Sequence, residues 1–143
     1  MNFHSKFFDE LSTRELYEIA RARTEIFLME QNIICRDLDG VDYDSLHCYL
    51  EENGKILAYL RAYRGEGGTV KIGRVLSVTH GIGLGSRLLR ESFPIIRKKL
   101  GDGVLLLHAQ THAKGFYEAF GFVVTSAEFL EEGVPHVVMQ LES

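Results

Sequence analysis

The residues of this chain with the clearest chemical meaning are three glycines and a serine between a predicted strand and a predicted helix. They stand in the run Gly81-Ile82-Gly83-Leu84-Gly85-Ser86. Glycine lets the backbone approach a ligand closely, and the start of a helix offers unpaired N–H groups and a partial positive charge. The run predicts a site that binds phosphate through main-chain donors, although a flexible turn of this composition would need no ligand.

Two common phosphate ligands fit this run poorly. A Walker A loop requires Gly-Lys-Ser/Thr, whereas Gly85 is followed by Ser86 and Arg87. A dinucleotide fingerprint requires a third glycine at the position of Ser86 and an acidic residue at the end of the next strand. That strand ends in Ala109-Gln110, so the sequence argues against both ATP and NAD.

A first strand and a well-marked helix precede the glycine run. Alternation around 3–7 predicts the strand, and Ser12 with Glu15 forms a capping box that predicts where the helix begins. Apolar residues then recur at helical spacing as far as Phe27. Arg23 and Glu30 fall on the same stripe, where a charge is costly to bury unless it is paired or lies in a cleft.

The middle of the chain predicts a polar loop followed by three strands. The loop covers 31–44, and Asn53-Gly54 is a strong signal for a two-residue hairpin turn between strands at 46–50 and 56–63. A fourth strand is predicted over 69–78, leading into the glycine run.

The rest of the chain predicts two helices and three strands. The helix after the glycine run should end at Gly101 and be kinked or broken late by Pro94. The apolar strand 104–110 is typical of a strand covered on both faces. A short helix over 112–120 and strands around 122–128 and 136–141 follow. The element order β-α-β-β-β-α-β-α-β-β predicts one α/β domain, 1–143, with a mixed sheet and helices on its faces.

Composition excludes several functional classes. The chain has 143 residues, 45% hydrophobic and 25% charged, and a net charge of −4 without a basic stripe, which argues against nucleic-acid binding. Its apolar runs are too short for a membrane span of roughly 20 residues, and the N-terminus does not look like a secretory signal. We therefore expect a cytoplasmic protein. Cys35 and Cys48 do not form a CxxC pair, and neither they nor the six scattered histidines have metal-ligand spacing.

Two motifs resemble those of the GCN5-related N-acetyltransferases (GNAT family). The segment His80-Gly81-Ile82-Gly83-Leu84-Gly85 matches the family's Gln/Arg-x-x-Gly-x-Gly/Ala, with His80 in place of Gln or Arg. The segment Gln110 to Phe122 matches the family's Asn-x-x-Ala-x-x-Leu/Phe-Tyr and Gly-Phe, with Gln110 in place of Asn. The chain is most similar to the ElaA-like subgroup, through matching pieces at 26–32, 37–40, 72–75, 109–110 and 133–136.

This resemblance implies a fold and a cofactor position. The fold would be a mostly antiparallel sheet of about seven strands, with helices on both faces and the fourth and fifth strands splayed apart. Acetyl-CoA would enter the splay as a pseudo-strand, with its pyrophosphate on the glycine loop. The residues that the resemblance assigns to acetyl-CoA are Leu76, Ser77, Val78, Gly81, Ile82, Gly83, Leu84, Gly85, Ser86, Gln110 and Tyr117.

The resemblance also implies a reaction, the transfer of an acetyl group to an amine. Tyr117 matches the tyrosine that protonates the departing thiolate, although a core aromatic would look the same in sequence. The N–H of Leu76 or a near neighbour would contact the thioester oxygen. No metal is expected.

The base that takes the proton of the amine is left open by the sequence. Glu30 leads because of its place on the apolar stripe, but an ion pair with Arg23 or Arg74 explains it equally well. Asp39 and His136 are further candidates, and Arg23, Asp39, Arg74 and His136 are expected around the acceptor. His108 is read as a structural histidine.

Other functions and the partners are left open as well. Two alternatives are an acyl-homoserine-lactone synthase and a non-catalytic module that binds CoA or protein. We expect the acceptor to be a small molecule or a peptide amine, with neither nucleic acid nor membrane as a partner, and the protein to be a monomer or a homodimer.

Overall fold

The computed structural model describes residues 1–142 and contains one mixed sheet and three α-helices. The helices are α1 (Thr13–Arg23), α2 (Leu84–Leu100) and α3 (Lys114–Glu118). The strands are β1 (Asn2–Phe7), β2 (Leu46–Glu52), β3 (Lys55–Arg64), β4 (Val70–Ser77), β5 (Leu105–Gln110), β6 (Val123–Val124), β7 (Phe129–Glu131) and β8 (Val134–Leu141). Within residues 1–142, no helix has the length and hydropathy required to cross a membrane.

The sheet has the order β1-β2-β3-β4-β5-β8-β6, and β7 also pairs with β8. The β4–β5 pair is parallel and the other pairs are antiparallel, which confirms the predicted mixed, mostly antiparallel sheet. There are eight strands rather than about seven, because the segment predicted as one strand over 122–128 contributes only β6, and β7 forms a separate hairpin with β8.

The two faces of the sheet bury different helices, because successive side chains of a strand point to opposite faces. On one face, Leu46, Cys48 and Leu50 of β2 pack with Leu88 and Leu89 of α2. On the other face, Tyr49 and Tyr59 pack with Ile19 and Ala22 of α1. Helices therefore cover both faces, as the fold class required.

Strands β4 and β5 separate after three residue pairs. Val70, Lys71 and Ile72 pair with Leu105, Leu106 and Leu107, and in the described chain the register of the two strands extends no further. The later halves of both strands consequently border a gap, which confirms the predicted splay.

The first helix begins as predicted and ends differently. Ser12 Oγ accepts from the Glu15 N–H (3.1 Å), and the Glu15 carboxylate accepts from the Ser12 N–H (2.8 Å). After Arg23 the backbone widens into a π-helix over Thr24–Glu30, in which the Gln31 N–H donates to the Ile26 carbonyl. The wider turn rotates Glu30 out of the buried stripe, so its side chain is exposed.

Two expectations about the second half of the chain are corrected. Helix α2 is continuous through Pro94, so of the predicted kink or late break the break does not occur; Pro94 and Arg90, whose carbonyl would have accepted the missing N–H, both face solvent. Strand β5 is buried on one face only: Leu105, Leu107 and Ala109 are buried, whereas His108 is exposed.

Candidate active site

A groove of about 380 Å³ lies between the end of β4 and the start of α2. Val75, Leu76 and Ser77 of β4 form one wall, and Phe116 of α3 lies on the other side. The glycine loop closes one end with the lining residues Gly81, Gly83, Leu84, Gly85 and Ser86. The structure thus brings together most of the residues that the sequence assigned to the acyl donor.

The glycine loop presents main-chain donors to this groove. Gly83 has a φ of 79° and caps α2, whose first intrahelical bond is donated by the Arg87 N–H to the Gly83 carbonyl. The N–H groups of Leu84, Gly85 and Ser86 precede that bond, so they are the free donors of the first turn. They are suited to an anionic oxygen.

Four of the residues assigned to acetyl-CoA do not line this groove: Val78, Ile82, Gln110 and Tyr117. The Val78 N–H donates to the Leu57 carbonyl (2.9 Å), and its side chain packs with the α1-side core. Ile82 is exposed at the tip of the loop. Because N–H directions alternate along a strand, the bond at Val78 turns the Leu76 N–H toward β3 and the Ser77 N–H toward the gap.

A second cavity, of about 580 Å³, lies on the face of the sheet that carries α1. It is bounded by the loop 31–44, by β3 and β4, by β5, and by the β7–β8 hairpin. Gln31, Val75, His112 and Ala113 line both this cavity and the groove. The two spaces therefore meet, which permits a ligand in one to react with a ligand in the other.

Tyr117 lies in α3 and lines the second cavity. Its side chain is 8% exposed and packs edge-to-face on Phe116 and Phe122. Burial raises the pKa of its hydroxyl above the ordinary value, because it disfavours the phenolate. The hydroxyl therefore stays protonated at neutral pH and can donate a proton.

Three arginines and three aspartates hold the wall of the second cavity. Arg23, 1% exposed, pairs with Asp37 (2.9 Å) and Asp42 (2.7 Å). Arg61 pairs with Asp39 (2.8 Å) and Asp42 (3.1 Å). These pairs tie the loop 31–44 to α1 and β3. Sequence reasoning missed Arg61, although a charge inside an apolar strand such as β3 was a usable signal.

The carboxyl groups of this network are strongly acidic. The Arg61 guanidinium lowers the pKa of Asp39 to about 2. Burial opposes ionisation of Asp42, but hydrogen bonds from Arg23 and Arg61 outweigh it and lower its pKa. Both carboxyl groups are therefore ionised, and both form ion pairs with arginines.

Arg74 joins the same network from a bulge in β4. Opposite Leu60, β4 carries two residues, Arg74 and Val75, and Arg74 has a φ of 55°. Its Nε lies 2.8 Å from Asp37 Oδ1 without the alignment of a hydrogen bond, and its Nη2 donates to the Asp37 carbonyl (3.0 Å).

Glu30 pairs with neither Arg23 nor Arg74. Its carboxylate accepts a hydrogen bond from Nε2 of His80 (2.8 Å), and His80 lines the groove. The neighbouring Gln31 accepts from Gln110 Nε2 (2.9 Å), so a bond between two amide side chains crosses from the first helical segment to the end of β5. Gln110 itself lines the second cavity.

The opposite side of the second cavity carries two histidines and a carboxylate. His136, a predicted acceptor-site residue, donates from Nδ1 to the Val134 carbonyl (2.7 Å). His108 donates from Nδ1 to Glu131 (2.7 Å), and both residues line the cavity. Sequence reasoning named His108 only as a structural histidine, and it did not identify Glu131, because β7 was not recognised as a strand. In residues 1–142 no three His, Cys, Asp or Glu side chains are grouped to hold a metal ion.

Known proteins resemble this chain in sequence. The model of the acetyltransferase (GNAT) domain matches residues 21–143. A UPF0039 protein of Schizosaccharomyces pombe is 33% identical over 99% of this chain and 97% of its own length. Protein ElaA of Escherichia coli is 32% identical over 93% of this chain and 91% of its own length.

Solved structures of other proteins resemble this chain in fold. An acyl-CoA N-acyltransferase from Pseudomonas aeruginosa superposes with a TM-score of 0.91 at 33% identity, covering 98% of this chain and 99% of its own. Escherichia coli ElaA has a TM-score of 0.92 at 29% identity, covering 99% of this chain and 100% of its own. The CoA-dependent acyl-homoserine lactone synthase BjaI, at 16% identity and a TM-score of 0.80 over 98% of this chain and 82% of its own, shares the fold.

Proposed function

Because the chain belongs to the acetyltransferase (GNAT) family, we propose that it transfers an acetyl group from acetyl-CoA directly to an amine. The observation that carries the proposal is the meeting of two spaces beside one tyrosine. The groove ends in free main-chain donors, the second cavity is lined by Tyr117, and the two share Val75 and Ala113.

Acetyl-CoA suits the groove chemically. Its pyrophosphate is an anion for the N–H groups at the start of α2, which bind through the backbone and so tolerate His80 in place of the family's Gln or Arg. Its pantetheine arm carries amides, which can pair with the edge of β4 that β5 leaves free after Ile72. The thioester would then lie near the splay.

The thioester oxygen gains negative charge when the amine attacks. A backbone N–H placed for that charge lowers the activation free energy by about 3 kcal/mol. We expect Ser77, beside the previously assigned Leu76, to supply this donor, because its N–H faces the gap.

Tyr117 would complete the transfer. The amine nitrogen attacks the carbonyl carbon, the C–N bond forms, the C–S bond breaks, and the thiolate takes the proton of the Tyr117 hydroxyl. The proton that the nitrogen then loses restores the hydroxyl. A single active site holding both substrates suffices, which supports a ternary complex rather than an acetylated enzyme.

Several parts of the prediction remain expectations within this proposal. Glu30 is the base that the sequence predicts; if it has this role, Glu30→Gln will lower the rate without weakening acetyl-CoA binding. The acceptor stays a small-molecule or peptide amine. The cytoplasmic location and the monomeric or homodimeric state also stay predictions.

The proposal is tested by binding and by turnover. Calorimetry should give a saturable heat with CoA, and saturating CoA should raise the unfolding temperature. Acetyl-CoA with a panel of primary amines should release free thiol, and acetyl-CoA should be preferred to hexanoyl- and decanoyl-CoA. A preference for the long chains would instead support the acyl-homoserine-lactone-synthase alternative.

The Tyr117→Phe variant tests the assigned proton donor. We expect kcat to fall about a hundredfold while the affinity for CoA stays unchanged, because only a proton donor is lost. Tyr17→Phe, an exposed tyrosine of α1, is the matched control and should keep full activity. Absence of any heat with CoA would refute the proposed function, and full turnover by Tyr117→Phe would remove Tyr117 from it.

A further inference from the structure

Glu131 lies between two histidines that come from different strands. One carboxylate oxygen accepts from His108 Nδ1 of β5 at 2.7 Å. The other lies 3.6 Å from His136 Nε2 of β8. The Phe129 ring packs edge-on to His108 and stacks on His136, so both imidazoles are held in place. The three polar side chains all line the second cavity.

The hydrogen bonds determine which nitrogen of each ring carries the proton. A carboxylate and a carbonyl only accept, so His108 donates from Nδ1 to Glu131 and His136 donates from Nδ1 to Val134. In the neutral rings, Nε2 then holds the lone pair. Among the hydrogen bonds of residues 1–142, His108 Nε2 takes part in none, and its side chain is 43% exposed. It is free to accept a proton from a ligand.

A purely structural role explains the pair less well. A contact between exposed polar side chains contributes little to stability, about 0–1 kcal/mol, and a part-buried His–Glu pair lies elsewhere in the described chain. His4 of β1 lies 3.3 Å from Glu51 of β2, outside the residues that line the two cavities. The His108–Glu131 pair differs because it faces the cavity that holds Tyr117.

We propose that His108, oriented by Glu131, accepts the proton that the acceptor ammonium must lose. This assignment rests on the proposed acetyl transfer. The N–H bond of the ammonium breaks, its electron pair stays on nitrogen for the attack on the thioester, and His108 Nε2 takes the proton. Glu131 stabilises the resulting imidazolium and is a positioning residue. The imidazolium then returns its proton to solvent.

Other charged and titratable groups face the same cavity and enter the pH dependence. They are Lys71 and Arg74 of β4, His112 after β5, Tyr117 of α3, and Glu132 and His136 of the β7–β8 hairpin. The loop 31–44 adds Cys35 and Arg36 beside its arginine-paired aspartates, and β3 adds Arg61 and Tyr63. His108 differs from these groups because its imidazole is oriented by Glu131 and its Nε2 makes no hydrogen bond within the described residues.

The test measures the pH profile of kcat/KM for His108→Gln, with spermidine, L-lysine, tyramine and Gly-Gly-Gly as acceptors. We expect kcat/KM at pH 7 to fall about a hundredfold, a typical loss for a general base, with unchanged CoA affinity. The remaining rate should rise about tenfold per pH unit until the pH reaches the pKa of the acceptor amine, about 8 for Gly-Gly-Gly, because solvent must then deprotonate the amine. Glu131→Gln should lower kcat/KM at pH 7 about tenfold, and its kcat/KM should also rise more steeply with pH than that of the wild type. His4→Gln, which removes the matched His–Glu pair on β1 and β2, should behave as the wild type.

The outcomes separate this assignment from the proposed function. A wild-type enzyme that binds CoA and acetylates an acceptor, with His108→Gln giving a parallel pH profile, would overturn the assignment alone. If Glu30→Gln loses rate and His108→Gln does not, the base is Glu30 and the assignment to His108 is overturned. A wild-type enzyme that acetylates none of the four amines would overturn the proposed function and this assignment together.

Discussion

The groove and the second cavity are adjacent, but they are built by different means. The groove lies between the end of β4, the glycine loop and Phe116 of α3, and its glycine loop presents backbone donors. The second cavity collects side chains from the loop 31–44, from β3, β4 and β5, and from the β7–β8 hairpin, and many of these side chains are charged. A ligand that many enzymes share can be held by the backbone, whereas an individual acceptor requires individual side chains.

The groove and the second cavity also differ in the interactions that stabilise them. The wall of the cavity depends on buried charges, above all Arg23, whereas the glycine loop depends on a backbone conformation at Gly83. Substitutions should therefore separate the two regions, and we describe three in order of decreasing effect.

Arg23→Met should have the largest effect. It leaves Asp37 and Asp42 without one of their arginines, and breaking a buried ion pair typically costs about 3–5 kcal/mol. We expect the free energy of unfolding, measured with urea, to fall by about 3 kcal/mol, because Arg61 still pairs with Asp42. The folded variant should still bind CoA. Arg21→Met, an exposed arginine of the same helix, should leave stability unchanged; equal stability of both variants would show that the wall does not depend on this pair.

Gly83→Val should affect the groove and spare the cavity. A β-branched residue at a φ of 79° is strained by about 1–2 kcal/mol, and relief of that strain would move the donors at the start of α2. We expect the affinity for CoA, measured by calorimetry, to fall about tenfold. Gly67→Val places the same residue at a φ of 64° in the turn before β4. It should lower stability similarly without changing affinity, so an equal loss of affinity in both would contradict a local role of Gly83.

Asp39→Asn should have the smallest effect and should depend on pH. The pKa of Asp39 in the folded protein is about 2, below its ordinary value of about 3.9. A lowered pKa stabilises the fold above about pH 4, and this contribution is lost as the pH falls toward 2. The carboxyl is partly exposed, so we expect about 1 kcal/mol between the wild type and Asp39→Asn at pH 6, shrinking by pH 2.5. Urea unfolding at both pH values measures it. A difference that persists at pH 2.5, or that Asp9→Asn reproduces, would contradict this account.

The same contrast decides how much the sequence could predict. The capping box at Ser12 and the turn at Asn53-Gly54, whose φ angles of 53° and 79° suit a type I′ hairpin, depend on neighbouring residues and were predicted. The glycine loop was recognised from its own composition and Tyr117 from the family resemblance, and their roles stay proposals. The π-helix after Arg23 and the continuous α2 at Pro94 depend on tertiary surroundings, which local patterns do not contain.

The charged groups of the cavity show this limit most clearly. Arg23 was recognised as anomalous, but its partners lie 14 and 19 residues away in the loop, and Glu30 was the nearer candidate. His108 was predicted to be structural because it lies on a strand and the histidines lack metal-ligand spacing. The pairing of His108 with Glu131, 23 residues later, depends on the short strand β7, which has little sequence signal.

The bulge at Arg74 has a consequence for how such a protein can change. One extra residue shifts the phase of β4, so Gly73 and Leu76 pair with Arg61 and Tyr59 and face the same side, although they are three positions apart. Deleting Arg74 would leave one residue opposite Leu60, so Leu76 would still pair with Tyr59 and face α1, while the guanidinium that pairs with Asp37 and Asp39 would be lost. The bulge thus gives β4 one additional side chain at the second cavity without changing the face on which the residues before and after it lie.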